Sequence, residues 1–482
     1  MHGSDLRMES IIKILQAKGF DTIPESFYSQ IGVWKSWYDG NVKAFHSFCV
    51  FNGQNNVSCR RYTLGMAKKV SEDWANLLLN EKVKITLEAQ KEQSFFDDVC
   101  QRNNFTVKAN EMQELKSALG TAAYVVRPSS LSADRETGQV DGGTEIKIDY
   151  VTAPNVFPLS WDNGIVTECA FTSSFSRQGK QYIYLQIHRL LSGKYVIENS
   201  IYRDNSGSLS EVTFAEVPGF ENVAAVVDTQ ADKPLFVIDR LNIANNVDNT
   251  LPMGIPAFAN AIDQLKGVDI SYDSYVNEFV LGKKRVMVKP GAWGKDPETG
   301  GKAFDPNDLC YYVLPEDTSE GNLITPIDMT LRTQEHNAGL QDMLNALSSR
   351  CGFGENHYRF DNGSVATATQ VISENSTMFR TIKKHEIILE SVLTELCRII
   401  LRLGNSVMGM GLNEEVEISI DFDDSIIEDK QQEFNRTLQL LNAGLMKPEE
   451  ARSILMNEDI ETARAALPGM EDLTDEPQDE VE

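Results

Sequence analysis

The side chains that could do chemistry are few, and their spacing works against them. His385-Glu386 opens the His-Glu-x-x-His pattern of a zinc protease, but Leu389 stands where the second imidazole is needed, one helical turn on. Gly294-Lys295 and Gly301-Lys302 begin like phosphate-binding loops. Asp296 and Ala303 replace the hydroxyl that would ligate magnesium, and the leading glycine is missing in both places. No Gly-x-Ser-x-Gly nucleophile elbow occurs. Asp421-x-Asp423 followed by Ser425 starts like a calcium loop, whose sixth and twelfth positions call for Gly and Glu; Ile426 and Gln432 occupy them. The six histidines are scattered, and none stands beside a partner that would make it a general base. An enzyme reading, a cytosolic divalent-metal enzyme, would have to gather Asp421, Asp423 and Asp424 around the ion without any ligand spacing to support it. No catalytic residue, metal or other cofactor is therefore expected, nor ATP hydrolysis.

Charge narrows the field further. The 482 residues carry 45 Lys and Arg against 71 Asp and Glu, a net −26. A protein that grips nucleic acid usually presents a basic face, because affinity comes largely from neutralised phosphates. This chain should repel DNA, which argues against a repressor or nuclease and suits a conduit that lets DNA slide without sticking. Seven scattered cysteines, odd in number and without a Cys-x-x-Cys pair, point to a reducing compartment. No basic start followed by an apolar run is visible at the N-terminus, and no apolar stretch approaches 18 residues, so neither a leader nor a membrane partner is expected.

The elements that would position any site read as an α+β chain. A helix is expected from Ser10 to Lys18 and another from Arg61 to Asn80, with Leu64, Ala67, Val70, Trp74, Leu77 and Leu78 on one stripe. Between Thr121 and Leu241, β-rich runs such as Tyr182–Ile187 alternate with turn clusters such as Asp162-Asn163-Gly164 and Asn205-Ser206-Gly207; this predicts an antiparallel sheet. Phe258–Leu281 reads as a helix in which Gly267 marks a bend. A short basic strand with Lys283, Lys284, Arg285 and Lys289 follows, then a turn-rich insert, a strand from Leu309 to Leu314, and a helix from Leu331 to Leu347. A polar loop, Glu355 to Gly363, precedes the longest helical pattern, Thr367 to Leu403. Glu417–Phe422 alternates like a strand, Asp429–Leu441 and Pro448–Met456 form a helical hairpin, and Glu471–Glu482 is an acidic tail expected to be disordered.

Four segments carry a resemblance. They are Ile31-Gly-Val-Trp34-Lys-Ser-Trp37-Tyr38-Asp-Gly40 with Phe45-His-Ser-Phe48; Arg61-Tyr-Thr-Leu64-Gly-Met66 through Trp74 to Glu81; Gly363-Ser-Val365-Ala-Thr367-Ala368-Thr369-Gln370-Val371 through Asn375 to Glu386; and Ile420-Asp421-Phe422-Asp423-Asp424-Ser425-Ile426-Ile427-Glu428-Asp429-Lys430. In this order the chain resembles the portal proteins of tailed bacteriophages, specifically siphophages of Gram-positive hosts. The other readings, another head-tail connector or minor capsid protein, do not need the long helix–insert–helix pattern between Phe258 and Leu347.

The resemblance implies a wing with an antiparallel sheet (1–249), a first stem helix (250–281), a small α/β clip (282–326) and a second stem helix (327–349). A tunnel loop (350–366), a long helix and strand returning to the wing (367–428), a helical crown (429–470) and the tail (471–482) complete it. It implies a ring, dodecameric in the virion at the capsid portal vertex and assembled in the host bacterial cytoplasm, with double-stranded DNA passing through. Expected partners are the terminase large subunit, the head-tail connector or adaptor, and the major capsid and scaffold proteins. Glu355, Asn356, His357, Arg359, Asp361 and Asn362 would face DNA, and Lys283, Lys284, Arg285 and Lys289 would lie near it or dock a partner. A connector that lets DNA in, holds it and lets it out is the function the resemblance predicts.

Overall fold

Helices form where apolar residues recur at three- and four-residue spacing, and they stop where glycine or side-chain hydrogen bonds divert the backbone. The computed structural model describes residues 3–51, 53–129, 145–282, 285–288, 311–313, 324–327, 330–360, 368–422, 430–456 and 460–467. Helix α1 is Gly3–Ala17, and α2, Glu25–Tyr38, buries Phe27, Tyr28, Ile31, Trp34 and Trp37 on one stripe. A one-turn α3 (Lys43–His46) leads into a hairpin of β1 (Ser47–Phe51) and β2 (Asn56–Arg60). Helix α4 (Met66–Leu78) begins later than the expected Arg61. Gly65 is left-handed at φ 71°, and the backbone N–H of Leu64 and the Thr63 hydroxyl donate to Asp269 instead of joining a helix. Strand β3 (Lys84–Leu87) and helices α5 (Gln90–Arg102) and α6 (Phe105–Leu119) complete this part.

The expected sheet region holds two antiparallel sheets. Strands β4 (Thr121–Ser129) and β5 (Glu145–Thr152) form a three-stranded sheet with the later β12 (Phe236–Arg240), in the order β12-β4-β5. The second sheet runs β10-β9-β8-β7-β6, from β6 (Val156–Asp162), β7 (Ile165–Arg177), β8 (Lys180–Leu191), β9 (Lys194–Asn205) and β10 (Ser208–Val212); β11 (Val226–Asp228) also pairs with β9. Its four hairpin turns are Asn163-Gly164, Gln178-Gly179, Ser192-Gly193 and Ser206-Gly207, and all eight residues have positive φ. That is the backbone a two-residue turn needs to match the right-handed twist of its strands, which explains the Gly that closes each of them.

One buried ion pair joins helix α6 to the three-stranded sheet. Lys116 Nζ lies 3.1 and 3.2 Å from the two carboxylate oxygens of Asp239 on β12, with both side chains out of reach of water. Gln113, one turn earlier, donates to Asp239 (2.8 Å) and to the Tyr124 hydroxyl (3.1 Å). Burial pulls the Lys116 ammonium below its usual pKa, while Asp239 opposes the shift. Beside this network Gly120, at φ 89°, crosses Gly254 with backbone against backbone, and a Cβ on either would overlap the other's carbonyl.

Helices α7 (Ile262–Leu281) and α8 (Thr333–Arg350) pack antiparallel. At one end Arg332 donates to Glu278, holding that carboxyl down to about 2, and His336 approaches it at 3.4 Å. At the other, Arg350 Nε donates to the Asn260 carbonyl at 3.1 Å. Helix α7 is continuous through Gly267. The glycine does not interrupt it; its missing side chain leaves room for Met343 of α8, whose sulfur would lie 3.0 Å from a Cβ. Between the two helices, β13 (Arg285–Val288) pairs parallel with β14 (Tyr311–Val313) and antiparallel with β15 (Ile324–Ile327), the last not foreseen from the sequence. Helix α9 (Ala368–Met408) is 41 residues long, and β16 (Ile418–Asp421) pairs antiparallel with β3.

A second compact unit comprises residues 366–375 and 423–482. Its described elements include α10 (Lys430–Asn442), α11 (Pro448–Met456) and α12 (Ile460–Ala465). Helix α10 ends on Gly444, at φ 70°, and Leu445 N–H donates back to the Leu440 carbonyl, a left-handed cap. Asp423, Asp424 and the tail 471–482 lie outside the described residues. The architecture is α+β with antiparallel sheets, as expected.

Removing one partner of a buried ion pair strands the other charge. Lys116→Ala should therefore cost about 3–5 kcal/mol, whereas the joint Lys116→Met/Asp239→Leu change should cost clearly less. Denaturant midpoints of both variants test this; a single variant no worse than the double would contradict it.

Candidate functional site: the loop between helices α8 and α9

The loop begins where α8 stops. Cys351 caps the helix and Gly352 turns the chain at φ 87°, with its Cα facing Thr381 of α9 and Trp74 of α4; a Cβ there would meet Thr381 at 2.9 Å and the Trp74 ring at 3.4 Å. Only glycine satisfies both the backbone angle and that approach. Phe353 then stacks on Trp74 (centroids 4.8 Å, planes 28° apart), and Trp74 Nε1 donates to the Cys351 carbonyl at 3.1 Å. His357 stacks on the other side of Phe353 at 4.4 Å, and its Nε2 lies 3.7 Å from Asp73. Burial pushes the Asp73 carboxyl up, but the adjacent His357 ring and the hydrogen-bonded Lys69 ammonium outweigh it and hold its pKa below the ordinary value.

Past this stack the backbone is pinned. Tyr358 is buried; its N–H donates to Ser348 Oγ (3.4 Å), and its carbonyl accepts from Gln341 Nε2 (2.8 Å). Phe360 N–H donates to Gln341 Oε1 (2.8 Å), and its ring meets Tyr275 of α7 edge-on. From the far side, His385 of α9 packs edge-on to Trp74 at 5.0 Å, and its Nδ1 accepts from the backbone of Asn242. Burial, with Lys116 and Lys384 nearby, lowers its pKa to about 3, so the ring is neutral.

The first ten residues of the loop thus form a rigid base. Glu355 and Arg359 point to solvent, and Asn356 sits half-buried at φ 64°. His357 belongs to the aromatic stack, although its side chain keeps partial exposure. Asp361 and Asn362 lie outside the described residues. Arg285 begins β13 opposite Ile327, while Lys283, Lys284 and Lys289 also lie outside them. Among the described residues no group of three His, Cys, Asp or Glu could hold a metal ion, and no helix is long and apolar enough to cross a membrane.

Two arrangements went unread in the sequence: the stacking of Phe353 on Trp74, and the anchoring of Thr63 and Leu64 on Asp269. Both join residues some 200 or more positions apart, for which local patterning carries no signal. An antiparallel helix pair enclosing a small sheet, followed by a glycine-turned loop and a 41-residue helix, is a long and unusual order of elements. Over residues 20–472 the sequence matches the profile of phage portal proteins described as SPP1 Gp6-like. The chain belongs to this portal protein family. No curated protein sequence matches it. The match extends over the α7–α8 pair, the inserted strands, the loop and α9 alike, so this portal protein carries the family's sequence in each of these parts.

Acid should weaken this packing. Between pH 6.5 and about 3 an unfolded chain protonates residue 385 while the folded protein leaves His385 neutral. Buried His188, also lowered to about 3 by burial, behaves alike. Stability therefore rises with pH across that window and is lost as pH falls, by up to roughly 1.4 kcal/mol per pH unit for each such histidine. The lowered Asp73 adds its loss only below the ordinary carboxylate range. Melting temperature should fall steadily from pH 7 to 4; a flat profile down to pH 4 would contradict the buried neutral imidazoles.

Proposed function

We propose that this portal protein is a subunit of a closed ring, dodecameric in the virion and seated at the capsid vertex, through which double-stranded DNA enters, is held and leaves. The observation that carries the reading is the antiparallel α7–α8 pair with a small sheet inserted at one end and the α8–α9 loop at the other. A heterologous ring places one copy of each such loop around a common axis, so a short segment per subunit makes a continuous lining.

In this reading residues 1–249 are the wing, 250–281 and 327–349 the two stem helices, 282–326 the clip and 350–366 the tunnel loop. Residues 367–428 return to the wing and 429–470 form the crown. The pinned base from Cys351 to Phe360 holds the loop, with Glu355 and Arg359 exposed on it; Asn356, His357, Asp361 and Asn362 complete the channel-facing set. A net charge of −26 on each chain makes a wall to which DNA does not adhere. Lys283, Lys284, Arg285 and Lys289 in the clip meet the terminase large subunit during packaging and the head-tail connector afterwards. Scaffold and major capsid proteins surround the wing while the particle assembles in the host cytoplasm. The chain is a seat for the motor, with no catalysis of its own.

Substitution tests this better than deletion, because Tyr358 is part of the fold. Glu355→Ala/Arg359→Ala should lower the fraction of DNA-filled particles several-fold with ring assembly intact. Reversing the four clip cations to Glu should abolish motor or connector attachment. Filled, tailed particles at wild-type yield from both variants would refute these site assignments.

A further inference from the structure

The hairpin β1–β2 has the composition of a buried element and the exposure of a surface one. Residues directly opposed in an antiparallel pair share a face, as do residues two apart along a strand. The register Phe48↔Cys59 and Val50↔Val57 therefore collects four apolar side chains on one face. Val50 is 47% exposed and Val57 42%, and Phe51 on the opposite face is 66% exposed. Eight of the ten strand residues are exposed, and the other two, Phe48 and Cys59, are half-buried. A lone two-stranded hairpin is marginal in water, and an open apolar face of this kind marks an interaction surface.

Its base is nevertheless fixed. His46 Nδ1 accepts from the Val42 N–H (2.9 Å), so Nε2 carries the proton it donates to Asp269 of α7 at 3.0 Å. The other Asp269 oxygen accepts from Leu64 N–H (2.9 Å) and the Thr63 hydroxyl (3.1 Å), and Asp273 accepts from Tyr62 N–H (2.9 Å). Arg61 donates to the Phe45 carbonyl (2.6 Å) with its guanidinium over the rings of Phe45 and Phe48. Both legs of the hairpin are thus tied to two carboxylates one turn apart on α7, buried Asp269 and half-buried Asp273, and what projects is held in a defined direction.

Charge identifies the partner. The chain has 71 acids in 482 residues, yet none of the 32 residues from Gly40 to Ser71 is acidic, and five are Lys or Arg. Lys68 and Lys69 are matched within the fold by Glu114 and Asp73. Lys43, Arg60 and Arg61 belong to the hairpin and its base. An apolar face on a hairpin whose own sequence is basic and free of acids fits a protein surface rich in carboxylates, and the rest of this chain, with its surplus of Asp and Glu, offers such a surface. A DNA backbone would engage the cations but gain nothing from Phe48, Val50, Val57 and Cys59.

We infer that the β1–β2 hairpin is a strap that lays its apolar face on the acidic surface of the adjacent copy of this chain. The inference rests on the ring reading and adds the element that joins neighbours. The test compares full-length wild-type protein with Val50→Glu/Val57→Glu by sedimentation and electron microscopy, with Val226→Glu on β11 as a control at another exposed valine (61%). Wild type and control should give rings, while the double variant, with an unchanged circular dichroism spectrum, should need at least tenfold more protein to assemble. Alkylation of Cys59 should slow at least tenfold in wild-type rings relative to dissociated protein. If the double variant loses its folded spectrum, Val50→Thr/Val57→Thr combined with Arg60→Glu replaces it, with the same expected assembly defect.

Rings of the variant at wild-type concentration, with Cys59 equally reactive in rings and free chains, would overturn the strap. Variant rings that assemble normally but lose DNA would overturn it too, by assigning the face to nucleic acid. Absence of rings from the wild type itself would instead sink the ring reading, and the strap with it.

Discussion

Trp74 is the constraint on which the larger unit depends. Its indole receives Phe353 on one face, His385 on an edge and the Cys351 carbonyl on its nitrogen. Three stretches of chain, each more than 25 residues from the next, meet at this one side chain. Because close packing leaves little room for adjustment, the position of Trp74 fixes where α8 ends, how the following loop departs and which face of α9 turns inward. The glycine at 352 is a consequence: with the indole and Thr381 in place, no side chain fits there. Truncating a buried aromatic of this size ordinarily costs about 3–5 kcal/mol.

Beyond that node, several buried polar pairs join distant parts of the fold. Lys116 and Asp239, His46 and Asp269, and Trp74 Nε1 and Cys351 each tie distant elements together with directional bonds. Such pairs specify geometry more than they stabilise. In the proposed ring, where each subunit presents the same loop and the same flank around an axis, that specificity is an advantage. The surplus of carboxylates serves a different end, since it stays largely outside the core. It acts on what approaches the surface, repelling nucleic acid and attracting cationic protein segments.

The sequence disclosed elements wherever local periodicity and turn chemistry decide them. The α4 stripe, the long α9, and the Asn-Gly and Ser-Gly turns of the large sheet could be read directly. Helix α6 could not, because Gln113 and Lys116 face inward and erase its apolar stripe. Helix α5 is too polar to advertise itself, and β3 finds its partner in β16 more than 300 residues away. The β1–β2 hairpin carries no clear alternation, since eight of its ten strand residues are exposed. In the loop, residue types show only that the segment is polar. The packed base from Phe353 to Phe360 shows that aromatic and amide contacts, which no spacing rule encodes, hold its first part still. Family resemblance read from four segments supplied the function, which the chemistry-bearing residues alone did not suggest.

The measurement that bears most directly on this account is cryo-electron microscopy of the protein taken from purified particles. It should show a closed ring at one vertex, with the α8–α9 loops directed at the axis and a predominantly acidic wall. Particle-derived protein that forms no ring, or a ring whose lining is mainly basic and built from other segments, would contradict it.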